Sequence, residues 1–195
     1  MINFKLNESV VLFIRGLPGS GKSSVVENLK TKLPENTVYL DPDDIDFDSQ
    51  EYLIHLAKMK ADEVDPSLFI YRYLRQLAYN GVSNKQLVVW NQPFSNLEIF
   101  NKLTKRLQDH AKEVKVGLKI IVCELEIDKE LALKRVRERV NSGGHGPSQA
   151  RFEQFIKDYK SFANTGYNVI TLDGSSSKNA SEQLLSKLQK LLVSS

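Results

Sequence analysis

Five short runs of consecutive apolar residues alternate along the chain with longer stretches in which apolar residues recur every three or four positions. Short continuous runs are typical of strands buried on both faces of a parallel sheet, and the longer period indicates amphipathic helices. The alternation predicts a three-layer α/β fold, in which helices cover both faces of a five-stranded parallel sheet. The predicted strands cover residues 10–14, 37–40, 86–90, 118–125 and 168–172.

The periodic stretches predict seven helices. Pro66 suits the first turn of the third helix, because proline has no N–H to lose there. Gly81 is expected to cap the C-terminus of the same helix. The glycine-rich segment 141–147 predicts a mobile loop between the fifth and sixth helices. The predicted helices cover residues 23–29, 49–62, 66–80, 95–113, 128–140, 148–162 and 179–193.

Length and composition favour one compact domain over residues 1–195. The net charge of +3 is too small to indicate a nucleic-acid partner. The apolar runs are shorter than the roughly 20 residues that cross a bilayer, and residues 1–8 lack the pattern of a signal peptide. We therefore expect a cytoplasmic protein without membrane contact, and the oligomeric state stays open.

Cysteine and histidine usage points to no redox or zinc chemistry. Cys123, the only cysteine, lies in an apolar predicted strand and is interpreted as a buried core residue. His55, His110 and His145 are scattered, with no partner at metal-ligand spacing.

Residues 16–23, Gly-Leu-Pro-Gly-Ser-Gly-Lys-Ser, match the phosphate-binding pattern G-x-x-x-x-G-K-[ST]. A predicted buried strand precedes the motif and a helix follows it. Its glycines let successive N–H groups surround an anion at the positive end of that helix. Lys22 is expected to reach the β- and γ-phosphates and Ser23 to bind Mg²⁺. The predicted nucleotide-binding residues are Gly16, Leu17, Pro18, Gly19, Ser20, Gly21, Lys22, Ser23 and Ser24.

An acidic segment, residues 41–48, follows the second predicted strand. Carboxyl ends of neighbouring strands converge on one crevice in a doubly wound sheet, so this segment is expected to face the phosphate site. We interpret Asp43 and Asp44 as functional carboxylates, which accept a proton from an acceptor hydroxyl or bind the metal through water. Asp46 and Asp48 are interpreted as part of a solvated turn.

Arginines on the fifth predicted helix form a second candidate group. Arg135 and Arg139 are four residues apart and share a helix face, so both can reach one anion, whereas Arg137 points elsewhere. Guanidinium groups stay charged and bind phosphate oxygens in pairs. A solvated basic face is the alternative. The adjacent glycine-rich break favours a closing lid over residues 135–151, because exclusion of water limits wasteful hydrolysis.

These three segments together resemble the P-loop kinases of small molecules and polynucleotides, a group that includes zeta toxins, polynucleotide 5′-hydroxyl kinases and AAA-type ATP-binding domains. The order of elements resembles that group along nearly the whole chain, and the motifs cover only the three segments. In that group the first carboxylate of an Asp-Asp or Asp-Glu pair is the base, which implies that role for Asp43. The resemblance also implies a lid that brings Arg135 and Arg139 over the transferring phosphoryl group.

The chain departs from that group at two positions. Asp46 stands where an arginine often follows the base, and Asn91 and Gln92 end the third predicted strand where an acidic residue often lies. An amide is a poorer Mg²⁺ ligand than a carboxylate. The metal is therefore expected on Ser23, Asp43, phosphates and water, unless Glu124 or Asp41 contributes.

The nucleotide is expected to be ATP. Asn84-Lys85-Gln86-Leu87 has the first residues of a guanine-binding Asn-Lys-x-Asp motif but lacks its final Asp, and it precedes a strand instead of following one.

The function predicted from these residues is Mg²⁺-dependent transfer of the γ-phosphoryl group of ATP to a hydroxyl of a small molecule, catalysed by Lys22, Asp43, Arg135 and Arg139. The acceptor is expected over residues 45–80, where Tyr71, Arg72, Tyr73 and Arg75 offer contacts, although about half of them must pack the helix instead. One alternative is a nucleotide-dependent regulatory ATPase. A polynucleotide 5′-hydroxyl kinase is another, which the aspartates of segment 41–48 disfavour because they repel a polyanion.

Overall fold

The computed structural model describes residues 7–193, and within them five strands form one all-parallel sheet with the order β2-β3-β1-β4-β5. β1 is central and pairs with β3 on one side and β4 on the other. This confirms the predicted P-loop α/β fold. The strands are β1 (Ser9–Gly16), β2 (Val38–Leu40), β3 (Leu87–Asn91), β4 (Leu118–Glu126) and β5 (Asn168–Asp173).

Six α-helices and two 3₁₀ turns connect the described strands, and a seventh helix follows β5. The 3₁₀ turns cover Pro42–Asp44 and Pro66–Leu68. The helices are α1 (Lys22–Lys30), α2 (Gln50–Ala61), α3 (Phe69–Ser83), α4 (Leu97–Glu113), α5 (Lys129–Asn141), α6 (Gln149–Asp158) and α7 (Ser177–Val193).

The two faces of β1 explain why its whole run is apolar. Leu12 and Ile14 pack with residues of α1 and α7 on one face, while Phe13 packs with residues of α3 and α4 on the other. Because side chains alternate across a strand, a central strand covered on both faces needs apolar residues at every position. Cys123 belongs to the first of these two cores, as predicted.

The prediction that Gly81 caps its helix is wrong. α3 continues to Ser83, and Asn84 is its C-cap. A Cβ added at Gly81 would lie 2.6 Å from a methyl carbon of Val88 and 3.4 Å from one of Val38. Glycine is needed here because the helix approaches β2 and β3 closely, and not because the chain must turn.

The sixth helix is shorter than predicted. It ends at Asp158, because Tyr159 adopts an extended conformation (φ −71°, ψ 116°). Residues 159–162 instead bind Arg15 of β1 and Glu124 of β4. Ala132, Val136 and Phe152 form a small separate core that joins α5 to α6. The two helices therefore form a hairpin with its own hydrophobic contact.

The carboxyl ends of β1, β2 and β3 meet at one edge of the sheet. They lead respectively into the loop of residues 16–21, into Asp41, and into Asn91 at the last position of β3. Among the described residues, no helix is both long and apolar enough to span a bilayer. The signal-peptide prediction concerns residues 1–8, of which 1–6 lie outside the described part.

Candidate nucleotide-binding and phosphoryl-transfer site

The loop between β1 and α1 depends on glycine at two positions. Gly19 (φ +85°) and Gly21 (φ +88°) have left-handed backbones, and Gly21 is the N-cap of α1. A Cβ at Gly19 would collide with the backbone carbonyl of Ala132 on α5. Helix α5 therefore lies directly on the loop. The N–H groups of the loop, together with the N-terminus of α1, provide an anion-binding cradle.

Lys22 is held at the centre of this cradle. Its Nζ donates hydrogen bonds to the carbonyl oxygens of Gly16 (3.0 Å) and Leu17 (3.1 Å). Burial, with a smaller contribution from the charge of Arg139, lowers the pKa of Lys22 to about 8, and the carboxylates of Asp41 and Asp43 oppose this shift. A bound triphosphate would place negative charge beside this desolvated ammonium and so favour its charged form.

Asp41, Asn91 and Ser23 form a hydrogen-bonded chain beside Lys22. The Asn91 Nδ2 atom lies 2.5 Å from Asp41 Oδ2 and 3.3 Å from Ser23 Oγ. The other Asp41 oxygen accepts a hydrogen bond from the backbone N–H of Asp43 and caps the first 3₁₀ turn. Desolvation raises the pKa of Asp41, although the hydrogen bonds from Asp43 and Asn91 favour the charged form.

Asp43 and Asp44 are the last two residues of the first 3₁₀ turn. Both side chains are exposed. The charge of Asp43 acts on Lys22. The pKa of Lys30 is raised first by its hydrogen bond with Glu27 and to a smaller extent by Asp44. The two charges thus act on different lysines, that of Asp43 on Lys22 and that of Asp44, together with Asp41, on Lys30.

The residues at this edge fit a Mg²⁺ ion. Ser23 Oγ and the Asp41 carboxylate are oxygen ligands of the kind that Mg²⁺ prefers, and the buried Asn91 Oδ1 has no hydrogen-bond partner among the described residues. No three His, Cys, Asp or Glu side chains cluster as a metal site in the described part.

Glu124, one of the two carboxylates suggested as a further metal ligand, is engaged elsewhere. It is 1% exposed and forms an ion pair of 2.9 Å with Arg15. Its oxygens also accept hydrogen bonds from the Tyr159 hydroxyl (3.1 Å), the Ser161 hydroxyl (3.1 Å) and the Phe162 N–H (2.9 Å). With its acceptor positions occupied by protein donors, Glu124 has no oxygen left for a metal, and Asp41 is the carboxylate that remains.

Sequence reasoning missed Arg15. It lies immediately before the loop and is fully buried, with its guanidinium between the rings of Tyr159 (4.2 Å) and Phe162 (3.6 Å). Its Nη2 donates to the Lys160 carbonyl (2.8 Å). The available signal was a charged residue directly after the apolar run of residues 10–14, since such a residue is rarely buried without a partner.

The two predicted lid arginines have different environments. Arg139 is exposed, lies against the backbone of Gly144, and acts electrostatically on Lys22. Arg135 donates to three backbone carbonyls, those of Gly19 (3.3 Å), Gly174 (2.9 Å) and Ser175 (2.6 Å). Arg135 therefore joins the phosphate loop to the loop after β5. Binding of both arginines to one phosphoryl group stays a prediction.

The segment predicted to hold the acceptor contains an aromatic cluster. Tyr52 packs edge-on against Phe47 and Tyr73 at 5.2 and 5.1 Å between ring centroids, and His55 lies 5.4 Å from Tyr73. Tyr73 is buried, which makes it a packing residue, whereas Tyr71 is 48% exposed.

Two arginines of α3 accompany this cluster. Arg72 is exposed and Arg75 half-buried, and desolvation lowers the pKa of Arg75. No carboxylate of the described residues forms an ion pair with either of them.

Comparison with known proteins identifies the family. The profile of a family described as an AAA domain matches residues 11–162, which include the phosphate loop, the acidic segment and the α5–α6 hairpin. No curated protein sequence matches the chain at a significant level.

Three solved structures illustrate the likeness in fold. A gluconokinase from Sinorhizobium meliloti 1021 superimposes with a TM-score of 0.58 at 14% identity, over 97% of this chain and 95% of that one. A deoxyadenosine kinase from M. mycoides gives 0.54 at 16% identity, over 93% and 99%. A fungal RNA kinase gives 0.55 at 14% identity, over 93% and 87%. At these identities the likeness establishes the P-loop kinase fold and leaves the acceptor open.

Proposed function

The chain belongs to the AAA-domain family of P-loop proteins, and from this premise we propose that it is a kinase that transfers the γ-phosphoryl group of ATP to a hydroxyl of a small molecule. The observation that carries the proposal is the placement of carboxylates beside Lys22. Asp41 is linked through Asn91 to Ser23, the residue after Lys22, and accepts a hydrogen bond from the N–H of Asp43. A triphosphate bound in the loop would therefore have its terminal phosphoryl group close to a candidate base.

Asp43 is the proposed base. Its carboxylate is exposed at the cradle, while its backbone N–H is fixed by Asp41 at 2.9 Å. As the acceptor oxygen forms a bond to the γ-phosphorus, the bridging bond to the β-phosphate breaks and ADP leaves with its electron pair. Asp43 takes the hydroxyl proton.

The remaining residues bind and neutralise charge. The loop N–H groups and Lys22 hold the β- and γ-phosphates, and Arg139 stabilises charge that develops during transfer. Ser23 and Asp41 would hold Mg²⁺, Asp41 directly or through water, with Asp43 as a further candidate. When bound, the ion supplies neutralisation of phosphate charge. The hairpin over residues 135–151 is the proposed lid that excludes water.

The acceptor is proposed to lie over residues 45–80. The exposed Tyr71 and Arg72 and the half-buried Arg75 offer contacts there. The exposed cluster of aspartates at 43–48 favours a small acceptor over a polynucleotide, because unpaired carboxylates repel a phosphate backbone.

A screen of ADP formation tests the proposal. Purified protein with ATP and Mg²⁺ is incubated with nucleosides, sugars, nucleotide-sugars, antibiotics and a 5′-hydroxyl oligonucleotide. We expect one small-molecule class to raise ADP formation and to yield a phosphorylated product by mass spectrometry. Lys22→Ala should remove this activity while circular dichroism stays unchanged. Turnover by Lys22→Ala at the wild-type rate would refute the assignment. ATP hydrolysis that no acceptor stimulates would favour the regulatory ATPase. Phosphorylation of the oligonucleotide would favour the polynucleotide kinase.

A further inference from the structure

Asn91 occupies the last position of β3, between α1 and the end of β2. Its side chain is buried, with 4% of the residue exposed. The Nδ2 atom contacts both Ser23 Oγ (3.3 Å) and Asp41 Oδ2 (2.5 Å). One amide thus touches Ser23 of the phosphate-binding motif, at the start of α1, and Asp41 of the acidic segment, which follows β2.

An amide at this position does what a carboxylate cannot. Two carboxylates in such close contact would repel each other, whereas the Asn91 amide donates a hydrogen bond to Asp41 and favours its charged form. The carboxylate at this edge of the sheet therefore comes from Asp41, the residue after β2, and Asn91 at the end of β3 orients it.

The second atom of the amide is also informative. Asn91 Oδ1 is buried and accepts no hydrogen bond from any described residue. A buried acceptor without a partner is unfavourable and rare. The Nδ2 atom of the same amide contacts the oxygen ligands Ser23 and Asp41, and a metal-bound water at this site would have a proton to donate. Mg²⁺ keeps several such waters when it binds a nucleotide.

We propose that Asn91 is a positioning residue of the Mg²⁺ site, which holds Ser23 and Asp41 in place through Nδ2 and accepts a hydrogen bond from a metal-bound water through Oδ1. The proposal rests on the proposed function only in requiring Mg²⁺ with the nucleotide, and it does not depend on the acceptor. Asn91 acts through Asp41 and the water, and it does not itself touch the transferred phosphoryl group.

Calorimetry of ADP binding with and without Mg²⁺ tests this inference in the intact chain. Loss of a residue that orients metal ligands typically lowers metal affinity about 10–100-fold. We expect Asn91→Leu to weaken Mg²⁺ binding to the protein–ADP complex by that factor and to leave metal-free ADP affinity at the wild-type value. Equal losses with and without Mg²⁺, or no loss, would overturn the proposal.

Gln86→Leu is the matched control. Gln86 stands just before the other end of β3, and its amide donates one hydrogen bond to the Asn36 carbonyl (2.9 Å). We expect this variant to keep the Mg²⁺ affinity of the wild type, because the lost amide is far from the cradle. A loss equal to that of Asn91→Leu would mean that any damage to β3 is sufficient, which overturns a specific role for Asn91.

A charge exchange decides the matter even if Asn91→Leu does not fold. Asp41→Asn removes the carboxylate, and we expect at least a tenfold loss of Mg²⁺ affinity. Adding Asn91→Asp to that variant restores one carboxylate and one amide in contact, with their positions exchanged, and should recover most of the affinity. A double variant no better than Asp41→Asn would refute the proposal. Since every readout is a binding constant, these results stand whether or not the screen finds an acceptor.

Discussion

The buried pair of Arg15 and Glu124 allows a stability prediction that can be worked out from its contacts. The perturbation is Arg15→Met, which keeps the length of the side chain and removes its charge. The Glu124 carboxylate then stays at 1% exposure with hydrogen bonds from residues 159, 161 and 162 and without a cation.

The expected cost is large because only one partner is removed. Breaking a buried ion pair in this way typically costs about 3–5 kcal/mol, since the remaining charge is uncompensated. Arg15→Met also loses the hydrogen bond to the Lys160 carbonyl and the stacking on Tyr159 and Phe162. Domains are commonly stable by about 5–15 kcal/mol, so the variant should fold but unfold at much lower urea.

Urea unfolding followed by circular dichroism measures this cost, and a double-mutant cycle isolates the pair. Glu124→Gln keeps the shape of the side chain and leaves Arg15 without a counter-charge. The double variant Arg15→Met/Glu124→Gln should be about 1–3 kcal/mol more stable than the sum of the two single losses predicts. Additive losses, or a cost below about 1 kcal/mol for Arg15→Met, would refute the reasoning that this pair anchors residues 159–162.

Three further predictions concern the site. Asp43→Asn should preserve ATP binding and lower the transfer rate about 10²–10⁴-fold, because the amide cannot accept the proton; steady-state kinetics with the acceptor found by the screen measures this. Arg139→Ala should lower kcat more than ATP affinity, because its contact strengthens as charge develops on the phosphoryl group; the same kinetics separate the two constants. Metal-free ADP affinity, measured by calorimetry, should fall about tenfold between pH 7 and pH 9, because the pKa of Lys22 near 8 removes the ammonium as the pH rises.

Each of these has its control. Asp44→Asn should change the rate much less than Asp43→Asn, and equal effects of the two would remove Asp43 as the base. Wild-type kinetics in Arg139→Ala would place that arginine on the solvated face. In Lys22→Met the fall in ADP affinity with pH should disappear, and an unchanged fall in this variant would assign the titration to another group.

The sequence alone determined the fold class and the phosphate loop. Both depend on local patterns, since strand and helix periods follow from which side chains must be buried, and the loop needs glycines at fixed spacing. The five strands and the motif at 16–23 accordingly lie where the periodicity predicted them. The sheet order also brings the end of β2 beside the cradle, as expected for converging strand ends.

Other features were decided only by tertiary contacts. Gly81 could be taken for a cap because its close contacts with Val88 on β3 and Val38 on β2 form only when α3 packs on the sheet. Glu124 could be taken for a metal ligand because its pairing with Arg15 joins two neighbouring strands that are far apart in sequence. The structure likewise assigned Arg135 to backbone carbonyls of two loops that meet only in the fold.

The acidic segment shows most clearly the difference between what the sequence determines and what tertiary contacts decide. Its composition indicated a group of functional carboxylates. The five aspartates within residues 41–48 have the same side chain, however, so the sequence does not distinguish their roles. Their roles diverge because Asp41 is half-buried and contacts Asn91 across 50 residues, while Asp43 and Asp44 are exposed. Local sequence sets which groups are present. The distances and burial that give each one its charge and its partner depend on long-range packing, which only the folded structure determines.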